Sequence, residues 1–316
     1  FRYREFMPLL DDSWREITMG EGMTPVVPLD DNVLLKMDYF MPTLSFKDRG
    51  AAVLAAHIKA IGVERVVQDS SGNAGNSVAA YCGRAGIACD IYVPEGTSPK
   101  KITMIKAHGA AAHVIPGNRE ACANACRARV EEEGIFYASH VYNPFFYEGT
   151  KTYIYEVYEQ LHRIPAHVFI PLGNGTLFIG AVKALEHLKA SGVIESMPHL
   201  VAVQSERCAP FAEAAKTGER APAHVISVPT LAEGIAIAEP MRGEEILEMI
   251  YRHGADVVTA PEDGILPARE ALAKRGVFCE HTTAATYAAY LAYCKERGAI
   301  TDALLPMCGA GLKSEH

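Results

Sequence analysis

Short apolar runs alternate with longer Ala-rich segments through most of the sequence. Several of the short runs are apolar at nearly every position, which is typical of strands in a sheet that is covered on both faces. These runs predict strands at Val63–Asp69, Ala88–Pro94, Ala111–Ile115, His167–Pro171, Leu200–Gln204 and Ala303–Cys308. The longer segments predict helices at Ala51–Ile61, Ser77–Ala85, Lys100–His108, Arg119–Glu133, Thr152–Leu161, Leu177–Ala190 and Thr282–Arg297.

Strands that alternate with helices in this way indicate parallel sheets in an α/β architecture. A chain of 316 residues has enough material for about two domains. No stretch rich in Pro, Ser and Gly separates them, so we expect the domains to be interleaved along the chain. Ligands of such sheets bind beyond the carboxyl ends of the strands, so the strand-to-helix turns are the segments to inspect.

The composition excludes several classes of protein. Hydrophobic residues make up 49% and charged residues 22% of the chain, which is too much apolar material for a disordered protein. The net charge of −8 disfavours a nucleic-acid partner. No apolar run is long enough to span a membrane, and the first residues lack the apolar core of a signal peptide. The eight cysteines lack metal-site spacing, so we expect no metal and reduced thiols in a cytoplasmic protein.

The first unusual turn follows the predicted strand Val63–Asp69 and contains small and polar residues from Ser70 to Ser77. Small side chains there leave backbone N–H groups uncovered at a helix start, which forms a nest for an anion. Gly72 and Gly75 do not have the Gly-x-Gly-x-x-Gly spacing of a dinucleotide site. A tight turn capped by Asn and Ser is the alternative interpretation.

The second turn, Gly173-Asn174-Gly175-Thr176, follows the predicted strand His167–Pro171. Glycines and a threonine before an apolar helix can hold a phosphate through the helix dipole and the exposed backbone amides. No Lys-Ser/Thr pair follows, which excludes a nucleoside-triphosphate P-loop. A plain glycine-rich turn is the alternative.

The third segment places Lys47 at the start of an Ala-rich helix. Ser45 is a predicted N-cap, and Asp48 follows it at the spacing of a capping box. The positive end of the helix dipole disfavours an ammonium group in the first turn, which favours a free, nucleophilic amine. A surface cluster of Lys, Asp and Arg is the alternative.

Together, an amine nucleophile, an anion nest and a phosphate cradle meet the needs of an enzyme that uses pyridoxal 5'-phosphate (PLP). In such an enzyme a lysine forms a Schiff base with the cofactor's aldehyde, while separate loops hold the phosphate and the substrate carboxylate. The sequence therefore predicts PLP as the cofactor.

A family resemblance extends this prediction from about Arg2 to Lys313. The segments that carry it are, in order, PTLSFKDRG, SSGNAGNSVAAY, PEGTSPKKITMIKAHGA, PLGNGT and CGAGLK. They resemble the PLP-dependent enzymes of fold type II, the tryptophan synthase beta-like superfamily, and most closely its threonine synthase branch. The resemblance implies two parallel-sheet domains of the three-layer α/β/α type, with PLP in the cleft between them. We predict a small domain at 50–150, which carries the SSGN loop, and a large PLP-binding domain formed by 1–49 and 151–316.

The resemblance also implies roles for single residues. Lys47 is similar to the lysine that forms the Schiff base and removes the substrate Cα proton. Asn73 is similar to the asparagine that hydrogen-bonds the pyridoxal 3'-oxygen. The loop that holds the substrate carboxylate is expected at Ser70, Ser71, Gly72, Asn73 and Ala74. The phosphate cradle is expected at Gly173, Asn174, Gly175 and Thr176.

Cys308 occupies the position that faces the pyridine nitrogen in relatives. Threonine is typical there in threonine synthases, whereas Ser or Cys occurs in the related dehydratases. A thiol leaves the nitrogen largely neutral, which suits elimination and replacement better than transamination. The alternative is a core thiol that faces no cofactor.

Three residues bear on the substrate. Phe146 stands where threonine synthases usually carry an arginine that binds the substrate phosphate, and losing such a bidentate ligand disfavours a phosphorylated substrate. Glu233 lies in a segment that resembles dehydratases and ammonia lyases, so it is either a pocket residue or an exposed acid. His281 is either a polar pocket residue or a structural histidine.

The resulting functional prediction is a PLP-dependent lyase or synthase of the threonine synthase-like family. Removal of the Cα proton is followed by elimination or replacement at the β or γ carbon of a small amino acid. The alternatives are an authentic threonine synthase that acts on O-phosphohomoserine, a serine/threonine dehydratase-type ammonia lyase, and a noncatalytic PLP-binding protein. We expect a cytoplasmic homodimer with a small amino-acid substrate and with no nucleic-acid or membrane partner.

Overall fold

The computed structural model describes residues 1–313, and the chain divides into two compact units. Unit 1 consists of residues 1–22 and 41–150, and unit 2 consists of residues 23–40 and the chain from 151 onward. Residues 1–22 and 41–49, which the predicted boundaries assign to the large domain, belong to unit 1.

The secondary structure follows the predicted α/β alternation. In chain order the strands are β1 (Val26–Pro28), β2 (Val33–Lys36), β3 (Arg65–Gln68), β4 (Ala88–Pro94), β5 (Ala111–Ile115), β6 (Phe136–Tyr137), β7 (His167–Pro171), β8 (His199–Ser205), β9 (Asp256–Ala260) and β10 (Ala303–Pro306). The α-helices are α1 (Trp14–Ile17), α2 (Lys47–Ala60), α3 (Asn73–Ala85), α4 (Pro99–Ala107), α5 (Arg119–Glu133), α6 (Pro144–Thr150), α7 (Thr152–Leu161), α8 (Thr176–Ala190), α9 (Pro210–Thr217), α10 (Gly243–His253), α11 (Glu262–Ala273) and α12 (His281–Arg297). Single 3-10 turns lie at Arg4–Phe6, Glu233–Ile235 and Gly311–Lys313.

Each predicted strand and helix is present, with shifts at the ends. The largest shifts are at α2 and α3, which begin at Lys47 and Asn73 rather than at Ala51 and Ser77. The polar motif residues form the first turn of each helix, because a helix start tolerates polar side chains that its buried middle does not. Strands β1, β2, β6 and β9 were not predicted, since they are short or only partly apolar.

Unit 1 is built on a parallel sheet with the strand order β5-β4-β3-β6. Neighbouring residues of β3 face opposite sides, and both sides are covered. Val66 packs with the buried side chains of α2 and α3, whereas Val67 packs with Cys122 and Cys126 of α5. The continuous apolar run in the sequence therefore reflects helices on both faces of the sheet.

Unit 2 is built on a sheet with the strand order β1-β2-β10-β7-β8-β9. Strand β1 is antiparallel to β2, and the other neighbouring pairs are parallel. Phe169 of β7 is fully buried, and its ring meets Tyr290 and Tyr293 of α12 edge-on at centroid distances of 5.4 and 5.6 Å. These edge-to-face contacts fix α12 on the sheet.

Unit 2 also contains a buried ion pair between Lys36 and Glu156. The Lys36 Nζ lies 2.8 Å from Glu156 Oε2, and both side chains are almost completely buried. The same amine donates to the carbonyl of Thr24 at 2.5 Å and to Oε1 of Gln160 at 3.0 Å. These extra bonds satisfy the ammonium group that burial removes from water.

Two further properties concern the chain as described, residues 1–313. No helix there is both long and apolar enough to cross a bilayer. Within the same residues, no group of three or more His, Cys, Asp and Glu side chains is arranged to hold a metal ion.

Candidate functional site

Lys47 is the first residue of α2 in unit 1. Its Nζ lies 4.7 Å from the ring centre of Phe46 and 5.6 Å from that of Phe146. The amine therefore lies against two aromatic rings, which attract its positive charge and displace water from its surroundings.

Asp48 fixes the backbone next to Lys47. Its fully buried carboxylate accepts hydrogen bonds from Thr43 N at 2.7 Å, from Thr43 Oγ1 at 2.5 Å and from Ser77 Oγ of α3. The prediction that Ser45 caps the helix is wrong, since Phe46 occupies the N-cap position and Ser45 Oγ is buried without a hydrogen-bond partner. The chain bends back toward Asp48, so the carboxylate and not the serine hydroxyl binds the backbone at the helix start.

The predicted carboxylate loop joins β3 to α3. Gly72 is the N-cap of α3 and provides no side-chain bond to the first amides of this helix. A Cβ at Gly75 would lie 1.8 Å from the carbonyl oxygen of Ser70, so the loop backbone folds directly onto the helix. Gly72 N donates to Ser70 Oγ at 3.4 Å. Ala74 is the first residue of α3 that is buried. A small anion placed here would meet backbone amides rather than side chains.

The predicted phosphate cradle joins β7 to α8 in unit 2. Gly175 caps α8 with a left-handed φ of 77° and gives the helix no side-chain cap. A Cβ at this position would lie 2.4 Å from Cδ1 of Ile246, so both conformation and space require glycine. Asn174 Oδ1 is buried and has no hydrogen-bond partner. The loop thus combines an uncapped helix N-terminus, whose backbone amides can donate to an anion, with a buried amide oxygen that accepts no hydrogen bond.

The Glu233–Ile235 turn packs directly against the phosphate cradle. A Cβ at Gly173 would lie 3.0 Å from the carbonyl oxygen of Gly234. Gly234 N in turn donates to Thr282 Oγ1 of α12 at 3.0 Å. Glu233 itself is exposed. The structure therefore places the Glu233 turn beside the cradle and leaves its carboxylate accessible to solvent.

Cys308 follows β10, which runs parallel to β7, so both strands end at the same edge of the sheet. Cys308 is in no disulfide, and 5% of its surface is exposed. The carboxylate of Glu280 packs against the α-carbon of the adjacent Gly309. A Cβ at Gly309 would lie 2.0 Å from Glu280 Oε2. Glu280 N also donates to Gly309 O at 2.9 Å. Sequence reasoning did not propose Glu280, because nothing in its local pattern distinguishes it from an ordinary N-cap residue.

His281 is the first residue of α12 and is buried. Its Nε2 lies 3.0 Å from an Nη of Arg269, whose Nε donates to the carbonyl of Cys279 at 2.9 Å. The guanidinium also lies 4.6 Å from the ring centre of Phe278. These contacts support the structural interpretation of His281.

Phe146 belongs to α6 and is completely buried in unit 1. The structure brings it to Lys47, which lies far from it in the sequence. Its ring centre lies 5.8 Å from that of His140 in an edge-on arrangement. The resemblance leads us to expect an arginine at this position. The structure instead places a buried phenyl ring there, beside the Lys47 amine.

Sequence reasoning missed two polar residues close to the Phe146 ring: His140, which contacts the ring, and Gln68, which contacts His140. Gln68 Nε2 lies 3.4 Å from His140 Nδ1, and Gln68 Oε1 is buried without a partner. Burial, and then the positive charges of Lys47 and Arg119, hold the pKa of His140 well below its usual range. No local signal marks these two residues, because only the folded sheet brings them near α2.

These residues fit PLP. The cofactor's phosphate needs hydrogen-bond donors, and its aldehyde needs an amine. In unit 2 the backbone amides at the uncapped start of α8 meet the first need, and in unit 1 the Lys47 amine meets the second. Asn73, at the start of α3, is an amide of the kind expected near the cofactor's ring oxygen.

Comparison with known proteins agrees with this chemistry. The family model described as "Pyridoxal-phosphate dependent enzyme" matches residues 17–309. The threonine synthase of Methanocaldococcus jannaschii is 29% identical over 299 residues, which cover 91% of this chain and 73% of that protein. The threonine synthase of Mycobacterium tuberculosis H37Rv is 30% identical, with 92% and 80% of the two chains covered.

Solved structures show the same fold. Processed threonine deaminase isoform 2 from Solanum lycopersicum superposes with a TM-score of 0.83 at 22% identity and covers 98% of this chain and 89% of its own. Maize serine racemase superposes with a TM-score of 0.78 at 18% identity, with 95% and 91% covered. The predicted fold, the cofactor PLP and the assignment as a PLP-dependent lyase are confirmed. The chain belongs to the family of pyridoxal-phosphate dependent enzymes, in the threonine synthase-like branch of fold type II.

Proposed function

We propose that this enzyme binds PLP covalently through Lys47 and acts on a small amino acid without a phosphate group. The reaction is elimination or replacement at the β or γ carbon. The observation that carries the proposal is the contact between Lys47 and Phe146: the reactive amine is present, and a buried phenyl ring stands beside it in place of an arginine.

Bound PLP withdraws electrons from the Cα of an amino-acid substrate, so that its proton can leave. In our proposal Lys47 receives this proton at Nζ. The amides of Ser70, Ser71 and Gly72, with Asn73 and Ala74, bind the substrate carboxylate and orient the Cα–H bond toward Lys47. The aromatic rings of Phe46 and Phe146 exclude water from the amine.

The residues proposed to hold the cofactor in unit 2 lie in two of its loops. Gly173, Asn174, Gly175 and Thr176 would bind the phosphate through the backbone amides at the uncapped start of α8. The family resemblance assigns Cys308 to the pyridine nitrogen, which a thiol would leave largely neutral. A neutral ring would be a weaker electron sink, which suits elimination or replacement better than transamination.

The substrate proposal depends on charge. A phosphate dianion is held best by a bidentate arginine, and a phenyl ring offers no such bond. Phe146 and Glu233 are both proposed pocket residues, one apolar and one acidic. Together they favour an uncharged substrate side chain such as a hydroxyl.

A first experiment tests the covalent link. Purified protein with PLP should show the visible absorbance of lysine-bound cofactor. Lys47→Ala and Lys47→Arg should abolish this absorbance. Lys59→Ala should not, because Lys59 lies at the other end of α2, where its amine donates to the Ala85 carbonyl. A band that survives Lys47→Ala would contradict the proposal.

A second experiment identifies the substrate class. We expect ammonia and a keto acid from serine or threonine, or replacement on a β-substituted amino acid, and little phosphate release from O-phosphohomoserine. Threonine formation is the second candidate function, favoured by the threonine synthases that match at 29–30% identity. Rapid release of phosphate together with threonine would establish that alternative. Absence of Cα–H exchange with every amino acid tested would indicate a noncatalytic PLP-binding protein.

A homodimer and a cytoplasmic location complete the proposal, and both derive from the family resemblance and the reduced cysteines. Sedimentation equilibrium of the PLP-loaded protein measures the first. A mass of one chain at micromolar concentration would contradict the dimer.

A further inference from the structure

Lys47 and His140 contact the same aromatic ring. The Lys47 Nζ lies 5.6 Å from the centre of the Phe146 ring, and the His140 ring centre lies 5.8 Å from it. Lys47 begins α2, whereas His140 lies in the segment between β6 and α6. The parallel pairing of β6 with β3 brings this segment to the sheet edge that also carries the loop to α3.

Gln68 is the hydrogen-bonding neighbour of His140 and offers it no negative charge. Its amide lies 3.4 Å from Nδ1 of the imidazole, and its Oε1 is buried without a partner. The imidazole thus has one nitrogen directed to an uncharged amide, and no carboxylate within residues 1–313 is hydrogen-bonded to it. A protonated imidazole would receive little compensation for its burial here.

The charged groups that act on His140 are both cationic. Lys47 on α2 contributes more than Arg119 at the start of α5, and the other neighbours, Gln68 on β3 and Phe146 on α6, are uncharged. Burial and these two cations all oppose a positive imidazole. Of the two cations, only the charge on Lys47 changes in the proposed reaction.

We propose that His140 is a positioning residue coupled to Lys47: its imidazole stays neutral while Lys47 is charged, and protonating it becomes less unfavourable when Lys47 is neutral. This inference rests on the proposed function of Lys47. When the neutral Lys47 amine accepts the Cα proton, the Cα–H bond breaks and an N–H bond forms at Nζ. Protonation of His140 then becomes more unfavourable again, so the site does not carry a second positive charge.

The coupling is reciprocal. If the charge on Lys47 disfavours protonation of His140, protonation of His140 disfavours a charge at Lys47 by the same free energy. A charged His140 should therefore disfavour a positive charge on the Lys47 Nζ. Removing the imidazole should remove this effect.

The direct test is an NMR titration of the full chain labelled in its histidines, without added PLP. Loss of one signal in His140→Gln assigns the resonance. Lys47→Met, which removes the charge, should raise the titration midpoint of His140 by about one pH unit. Lys47→Arg, which keeps the charge, should leave the midpoint low. An equal midpoint in the wild type and in Lys47→Met would overturn the inference.

The titration has a matched control in His162→Asn, which should leave the His140 midpoint unchanged. His162 is exposed, lies in unit 2 and has a left-handed φ of 55° that asparagine tolerates. Circular dichroism checks that each variant is folded. If His140→Gln does not fold, His140→Asn is used in its place.

The two proposals fail in different ways. If wild-type protein forms no band with PLP, the proposed function of Lys47 is wrong, while the NMR titration still measures the coupling. If the band forms normally and the His140 midpoint is the same in the wild type and in Lys47→Met, the proposed function stands and the inference about His140 is wrong.

Discussion

The ring of Phe146 lies directly against the α-carbon of Gly50. A Cβ at Gly50 would lie 2.3 Å from Cδ1 of the ring, which no real contact allows. On the same side, a Cβ at Gly149 would lie 1.9 Å from the carbonyl oxygen of Arg49. Helices α2 and α6 therefore touch through their backbones, and this close approach brings Phe146 to Lys47.

Gly50→Ala is expected to destabilise the protein by about 1–3 kcal/mol, because the added methyl group overpacks a filled core. Phe146→Ala alone should cost about 3–5 kcal/mol through the cavity it leaves. The double variant should cost clearly less than the sum, since each change relieves the other. Urea unfolding of the four proteins measures the cycle, and strictly additive effects would contradict this account of the contact.

Lys36→Met should destabilise the protein by about 3–5 kcal/mol, because it leaves the Glu156 carboxylate buried without its partner. Lys36→Met/Glu156→Leu should recover most of that loss, since a buried ion pair can be replaced by apolar side chains of similar volume. Equilibrium unfolding measures both. A single variant as stable as the wild type would show that water reaches the carboxylate.

Asp90 should make the stability of the protein depend on acid pH. Burial by itself would raise the pKa of Asp90, but hydrogen bonds from Arg65 at 2.8 Å and His113 at 2.7 Å outweigh it, so the pKa lies below its usual value. A depressed folded pKa contributes stability above the unfolded value of about 3.9, and this contribution is lost as the pH falls through the folded value.

Asp90→Asn should therefore be less stable than the wild type near neutral pH, and the difference should shrink as the pH falls below about 4. Urea unfolding at several pH values measures it. A difference that stays constant down to the lowest pH at which both proteins fold would refute this assignment.

Asn174→Ala should weaken PLP binding about tenfold or more, because a hydrogen bond to a charged phosphate is worth about 1.5–3 kcal/mol. Asn174→Asp should weaken it further through repulsion between the carboxylate and the phosphate. Titration of the visible band with PLP measures both affinities. Asn124→Ala on the exposed side of α5 is the control, and wild-type affinity in both Asn174 variants would remove Asn174 from the phosphate site.

Local patterns predicted the α/β class, which the structure confirms. The phosphate loop and the reactive lysine stay predictions from the same kind of pattern. A continuous apolar run such as Val66–Val67 indicates a buried parallel strand. Glycines at a helix start, such as Gly175, indicate a loop that can bind an anion. Both signals lie within a few residues, because backbone conformation and burial are set by neighbours along the chain. The same local reasoning failed at Ser45, whose hydroxyl points into the interior while Asp48 binds the loop backbone.

The chain sequence by itself determined the fold class and the cofactor, and it predicts Lys47 as the reactive amine. Only the tertiary structure decided that Phe146 and His140 lie near Lys47 in unit 1, with the Phe146 ring against Gly50, and that Glu280 packs on Gly309 within unit 2. These contacts join segments that are distant in sequence and meet only through strand pairing and helix packing. Since side-chain charge, burial and hydrogen bonding all depend on such neighbours, the chemical character of the site appears only in the folded chain.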